Sequence, residues 1–322
     1  MFVCYPTLIR FLKDWTLPVA IAVGTISYLT FYYVPQLDDL GNRLGPVMDT
    51  IFPVMVFVTL FITFCKVDFH QMMPHRWHAG VLIAQLLLVA VNVGVILYLQ
   101  TPHSILLLEA VLTCIIGPSA AAAPVVTGKL GGNISTMTTY TILSSVVSAI
   151  LIPLVFPLLE QTVHVDFFSA FLIILQKVST VLLLPLVLGW LAQHHWKTLC
   201  SLITSTPNLS FYTWAISLSI TTGITVKNIV HSSAPLSLLL SIAAATFVLC
   251  FVQFAIGRAI GRQLGEEVNA GQALFQKNTA LSIWVAYMYL KPVASIGAGC
   301  YVLWQNIINS LELWQYRKSV KS

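Results

Sequence analysis

The sequence predicts an all-α integral membrane protein of ten transmembrane helices, arranged as an inverted repeat of five plus five. Three observations carry that prediction. Only 8% of the 322 residues are charged, 57% are hydrophobic, and the mean hydropathy is +0.87. A soluble domain of this size carries roughly 25% charged residues, so a water-facing enzyme is excluded. The apolar residues fall in runs of about 20, the length that crosses a ~30 Å hydrocarbon core. Two of these runs, each the fourth of its five, are interrupted part-way through.

The ten spans are read at 15–34, 46–65, 77–99, 103–127, 132–158, 167–193, 207–226, 234–257, 264–289 and 291–314. Arg10 and Lys13 precede the first run as in a signal peptide. That run is long, has no small-residue cleavage site and leads into further spans, so it is expected to stay as helix 1. Loops are short, and the spans must therefore pack directly on one another.

Charge sets the orientation. With the N-terminus inside, the inner side holds Arg10, Lys13, Lys66, Arg76, Lys129, Lys197, Arg258, Arg262, Arg317, Lys318 and Lys321. The outer side holds Arg43, Lys227 and Lys291, with Asp38, Asp39, Glu160 and Asp166. An excess of Lys and Arg marks cytoplasmic loops, so both termini are expected in the cytoplasm, in a bacterial inner membrane. The net charge of +5 comes from these scattered helix-end residues and does not indicate nucleic acid. The six cysteines have no CxxC pair and mostly lie in apolar runs, where they act as small hydrophobes. His75 and His78 have loose ligand spacing, but no cysteine or carboxylate cluster joins them, so they read as solvated loop residues.

The repeat units are expected at 1–158 and 159–322. Helices 1 and 6 both carry Leu-Pro followed by a nearby glycine, a weak likeness. Helices 4 and 9 match better. Helix 4 carries Gly117-Pro118-Ser119-Ala120-Ala121-Ala122-Ala123-Pro124, and helix 9 carries Phe275-Gln276-Lys277-Asn278-Thr279. Five spans per half is odd, so the second half enters the membrane from the opposite side. Corresponding interrupted spans in inverted halves point to a midplane binding site.

A helix break at membrane depth is tolerated only where it is buried in protein or lines a wet cavity. Pro118 is suited to the first turn of a new half-helix. Two half-helix N-termini meeting at the midplane favour an anion. The plain alternative is that the small residues only let helices pack closely.

Lys277 is the sharpest chemical feature. A lysine near the bilayer centre costs ~3 kcal/mol on insertion scales, and intramembrane charge is functional by default. The alternative is an ion pair that locks two helices. Glu109 sits at similar depth in helix 4 and is the expected partner; Lys177 in helix 6 competes for it. Gln85, Asn92, Thr138, Thr141, Gln253 and Asn306 are further polar residues within spans, each readable as an interhelical hydrogen bond.

Ten spans with broken helices at the fourth and ninth positions resemble the bile acid:sodium symporter family, over essentially the whole chain. Gly117 to Ala123 sits where that family has a Pro-Gly-Gly-rich stretch, and Lys277-Asn278 where it has Gln-Asn. The resemblance implies a core domain (helices 3–5 and 8–10) moving against a panel domain (helices 1, 2, 6 and 7). An organic anion would sit beside the crossing, with sodium as the driving ion. It also exposes departures. The family's asparagine falls at Pro124, a hydroxyl near Met137, and the sodium-binding glutamate at Ala273, with Gln272 adjacent. Thr141 and Asn278 remain as equivalents.

The expected function is therefore secondary transport of a small organic anion by alternating access. Coupling would be sodium-independent or proton-linked, with Lys277 standing in for a bound cation. Substrate contacts are expected from Gly117, Pro118, Ser119, Ala120, Ala121, Gln276, Lys277, Asn278, Thr279 and Asn306. Coupling or ion pairing is expected from Lys277, Glu109, Thr141, Gln272 and Gln85. The alternatives are a sodium-coupled symporter and a non-transporting membrane sensor or partner subunit. No HExxH, GxS-with-His or paired intramembrane aspartates suggest an enzyme, and no cofactor is implied. The chain is expected to be a monomer or a weak homo-oligomer.

Overall fold

A computed structural model describes residues 15–66, 73–99, 101–159, 184–206 and 208–321, with a few isolated positions between 168 and 180. Its regular elements are helical: α1 (Thr16–Tyr33), α2 (Asp38–Phe64), α3 (Arg76–Tyr98), α4 (Pro102–Ile116), α5 (Ala123–Lys129), α6 (Ile134–Leu159), α7 (Leu184–His195), α8 (Lys197–Thr204), α9 (Leu209–Val230), α10 (Leu236–Leu264), α11 (Glu267–Phe275), α12 (Thr279–Tyr289) and α13 (Ser295–Lys321). Two single 3-10 turns, Pro35–Leu37 and Pro292–Ala294, complete the described elements. Lys177, Glu160, Asp166 and part of the first half of the sixth predicted span lie outside the described residues.

Five described helices are long and apolar enough to cross a membrane: α1, α3, α6, α9 and α10. The chain is an integral membrane protein. Helix ends follow local chemistry. α4 opens with Pro102 in its first turn, where the missing N–H costs nothing. α10 runs to Leu264, seven residues beyond its predicted end, and stops at Gly265 with φ +74°. That left-handed cap suits glycine because it has no Cβ to clash. α8, which the sequence pattern left within a loop, is a short helix with only Ile203 buried.

Two sets of helices are apparent from the packing. α9 packs on α1 and α2, and α2 packs on α7. In the other set α10 packs on α11 and α13, α3 on α4, and α5 on α6. The larger apolar core lies in this second set, around Leu112, Ile116, Phe156, Phe275 and Tyr301. α10 and α11 approach closely at Gly257, where an added Cβ would collide with the Ala270 carbonyl. The sets meet along a seam in which α9 and α1 touch α13 and α5. Val125, Val126 and Leu130 of α5 and its end pack there against Leu17, Phe211 and Leu218. At one end of the seam Lys129 Nζ donates to Asn208 Oδ1 (2.6 Å) and lies 4.1 Å from the centroid of the Phe211 ring.

Candidate functional site

The two interrupted helices meet at their breaks. α4 ends at Ile116 because Pro118 follows: Gly117 takes the extended conformation (φ −59°, ψ 147°) that a residue before proline is pushed towards. α11 ends at Phe275, and Gln276 is likewise extended (φ −83°, ψ 94°). The two unwound segments run antiparallel, with Ser119 bridged to Lys277. Ala120 N donates to Gln276 O (2.7 Å) and Asn278 N to Pro118 O (2.9 Å). Each break therefore satisfies part of the other's main chain, which is how unwound backbone survives away from water.

The half-helix after the first break does not begin at Pro118, contrary to expectation. α5 starts at Ala123, with Pro124 in its first turn. Pro118 instead stays in the unwound segment, because its carbonyl is needed by Asn278. α12 is capped by Asn278, whose Oδ1 accepts from Leu281 N (3.2 Å).

Carbonyls at the C-terminal ends of α4 and α11 have no onward helical partners, and side chains supply them. Gln85 Nε2 donates to Ile115 O and Gly117 O (both 3.2 Å), and Ser148 Oγ to Ile116 O (2.8 Å). Lys277 Nζ donates to Ile115 O and Gly117 O, both at 3.1 Å. The fully buried ammonium thus sits at the negative end of the α4 dipole. For α11, Tyr301 Oη donates to Phe275 O (2.7 Å), and Gln253 Nε2 donates to Tyr301 Oη (2.8 Å). Gln305 holds the Lys277 main chain from both sides: its Oε1 accepts from Lys277 N (2.9 Å) and its Nε2 donates to Lys277 O (3.3 Å).

Lys277 does not pair with Glu109. Its ammonium turns to the carbonyls of Ile115 and Gly117, six and eight residues beyond Glu109 and so about 9–12 Å further along the helix axis. Similar depth in the membrane brought the two residues level on paper, but the helix face decides contact. Gln272 donates to Glu312 Oε2 (2.7 Å) and Thr141 Oγ1 to Met137 O (2.9 Å). Gln276 is fully buried, and neither atom of its amide has a partner among the described residues.

A cleft of about 60 Å³ lies beside the crossing, within the seam. One wall comes from the breaks and α13: Ala120, Ala121, Lys277, Asn278, Thr279 and Asn306 all line it. Gly117, Pro118, Ser119 and Gln276 lie behind this surface and do not line the cleft, and nor do Thr141, Gln272, Gln85 and Glu109. The opposite wall is Thr59 of α2 with Trp214, Ser217, Leu218 and Thr221 of α9. Sequence reading missed this wall, and it missed Gln305. The signal was present: positions 214, 217, 218 and 221 share one helical face, yet nothing in a lone helix says which face meets the breaks.

The positions that the resemblance associates with sodium do not fit that ion. Pro124 has no side-chain oxygen. Met137 and Ala273 are fully buried in one apolar cluster with Trp77, Val81 and Leu274. A hard cation takes several oxygen ligands, and the one side-chain oxygen in this cluster is the buried Tyr140 hydroxyl.

A family model described as the sodium bile acid symporter family matches residues 53–232. The match includes the first break and the α9 wall and ends before the second break. No curated protein matches the chain.

Proposed function

The chain belongs to the sodium bile acid symporter family, whose members are membrane transporters, and on that premise we propose that it is a secondary transporter of a small organic anion that works without bound sodium. One observation carries the reading: the Lys277 ammonium is held by the Ile115 and Gly117 carbonyls beside the cleft. A fixed cation there performs the electrostatic task of a bound one, neutralising carbonyls at the end of a half-helix. The apolar packing of Met137 and Ala273 supports the same reading.

Transport proceeds by alternating access. The set containing the breaks, helices 3–5 and 8–10 of the predicted spans, moves as a core against a panel of helices 1, 2, 6 and 7. Ten spans in two inverted repeats, 1–158 and 159–322, supply the pseudo-symmetry such a motion uses. The paired glutamines support it: Gln85 of the third span and Gln253 of the eighth each serve the C-terminal end of a broken helix. The Ala121 and Ala280 main-chain N–H groups, which have no partner among the described residues, belong to residues that line the cleft and are the donors for the anion. Both termini are cytoplasmic, in a bacterial inner membrane.

Counterflow in proteoliposomes tests the proposal. Organic anion exchange that proceeds equally with sodium or choline as the only cation, and that fails in Lys277→Ala, is the expected result. Strict sodium dependence in the unaltered protein overturns it.

A further inference from the structure

Three cations from separate helices gather at one end of the seam, away from the cleft. Lys129, the last residue of α5, donates from Nζ to Asn208 Oδ1 (2.6 Å) and covers the Phe211 ring. Lys66, just past the end of α2, donates from Nζ to Thr206 O (2.8 Å). Thr206 and Asn208 are two residues apart between α8 and α9. The two ammoniums therefore reach the same stretch of chain from opposite sets of helices. Arg317 arrives with the last turns of α13. Its Nε donates to Leu313 O (3.1 Å), and Leu313 packs in one cluster with Val126 and Leu130. The neighbouring Tyr316 hydroxyl lies against Gly131, 2.6 Å from where a Cβ would stand. All three basic residues are half-buried.

This gathering is unfavourable by itself. Like charges repel, and burial removes the water that would screen them. Lys129 lies beyond the fourth predicted span, and burial together with the Arg317 and Lys66 charges pushes its ammonium down to about 8. Its acceptor Asn208 is neutral, and among the described residues no carboxylate pairs with it. Orientation in the membrane needs basic residues on one face, but it does not need them to converge. Lys197 and Lys318 serve that purpose from exposed positions.

A bound anion would turn the repulsion into attraction. Three cations match a dianion better than the single charge of a carboxylate. A phosphate group carries about −1.5 to −2 charges near neutral pH, with three strong acceptor oxygens. Hydrogen bonds between ionised partners are the strong ones.

We propose that Lys66, Lys129 and Arg317 form a binding site for a phosphate group at this mouth of the seam, and that the bound group ties α2 of one set to α5 and α13 of the other. None of the three residues lines the cleft, so the site is separate from it. With both termini in the cytoplasm, as proposed above, this is the inner mouth. Free phosphate and lipid headgroups share the chemistry there.

The experiment measures the melting temperature of the full chain in an uncharged detergent, with potassium phosphate or with potassium chloride at the same ionic strength. A second arm uses nanodiscs of phosphatidylcholine with or without phosphatidylglycerol. A saturable rise of about 2–4 °C that is lost in Lys66→Gln and in Lys129→Gln supports the site. Both variants keep an N–H donor without the charge, and Arg317→Gln replaces either one that does not fold. A rise with phosphate identifies the free ion, and a rise only with phosphatidylglycerol identifies a headgroup. Amide exchange at Val125 and Val126 should slow when the phosphate group is bound. Equal melting in all conditions, a rise that survives the variants, or unchanged exchange overturns the proposal. Neither arm depends on which solute is transported, so the result stands apart from the transporter reading.

Discussion

The Lys277 ammonium lies 3.1 Å from the carbonyl oxygen of Gly117, so a charge from the second helix break closes the first. The contact joins segments 160 residues apart in the chain. It places the Lys277 ammonium where carbonyls without helical partners collect at the end of a half-helix.

Removing that charge should have a thermodynamic signature. Lys277→Gln keeps a donor but loses the ammonium, leaving Ile115 O and Gly117 O less well served. The melting temperature in detergent should fall, with a loss of about 1–3 kcal/mol. Sodium should then stabilise the variant while leaving the unaltered protein unchanged. A variant as stable as the parent would show that the contact is incidental.

The cap on α11 should behave as a coupled unit. Tyr301→Phe leaves the buried Phe275 carbonyl without its donor, and Gln253→Leu removes the group behind that donor. Each single change is expected to cost about 1–3 kcal/mol. The double variant should cost clearly less than the two added together, because both act through one hydroxyl. Strict additivity in a double-mutant cycle would contradict the relay.

Gly257 should tolerate no side chain. In Gly257→Ala the new Cβ meets the Ala270 carbonyl and the Gly271 main chain, neither of which can rotate away. Overpacking of this kind costs about 1–3 kcal/mol. Gly94→Ala, within α3, is the internal control, since nothing lies within 4 Å of its added Cβ and alanine is the better helix former. Melting curves of the two variants should separate, with only Gly257→Ala destabilised.

The seam should loosen when its polar end is cut. Lys129→Met loses the hydrogen bond to Asn208 and the charge over Phe211. Amide exchange in α5, at Val125 and Val126, should speed up by about fivefold, the equivalent of ~1 kcal/mol. Exchange in α10, which packs on α11 and α13, should not change. Equal acceleration in both helices would point to general destabilisation instead of movement along the seam.

Much of the architecture was legible from local properties. Charge content and the length of apolar runs are additive along the chain, so membrane insertion followed from counting. The breaks were legible because Pro118 cannot donate and restricts Gly117, whatever surrounds them. The half-helix start was misplaced by five residues, since Pro118 and Pro124 are both suited to a first turn. Pairing with Asn278 across the crossing decided between them.

The site was legible only by halves. Lys277, Asn278 and Asn306 stood out because a polar residue in an apolar run is conspicuous on its own. Their partners did not stand out. Glu109 matched Lys277 in depth, which is counted along a helix axis, but contact also depends on azimuth, which no single helix specifies. The same blindness hid the Trp214–Thr221 wall and the Gln305 clamp. From the sequence alone came a membrane protein with two polar breaks and a buried lysine. Only the packed structure decided which helix faces meet, because that choice depends on side-chain fit between segments far apart in the chain. That fit turned Lys277 away from a carboxylate and onto the carbonyls of Ile115 and Gly117.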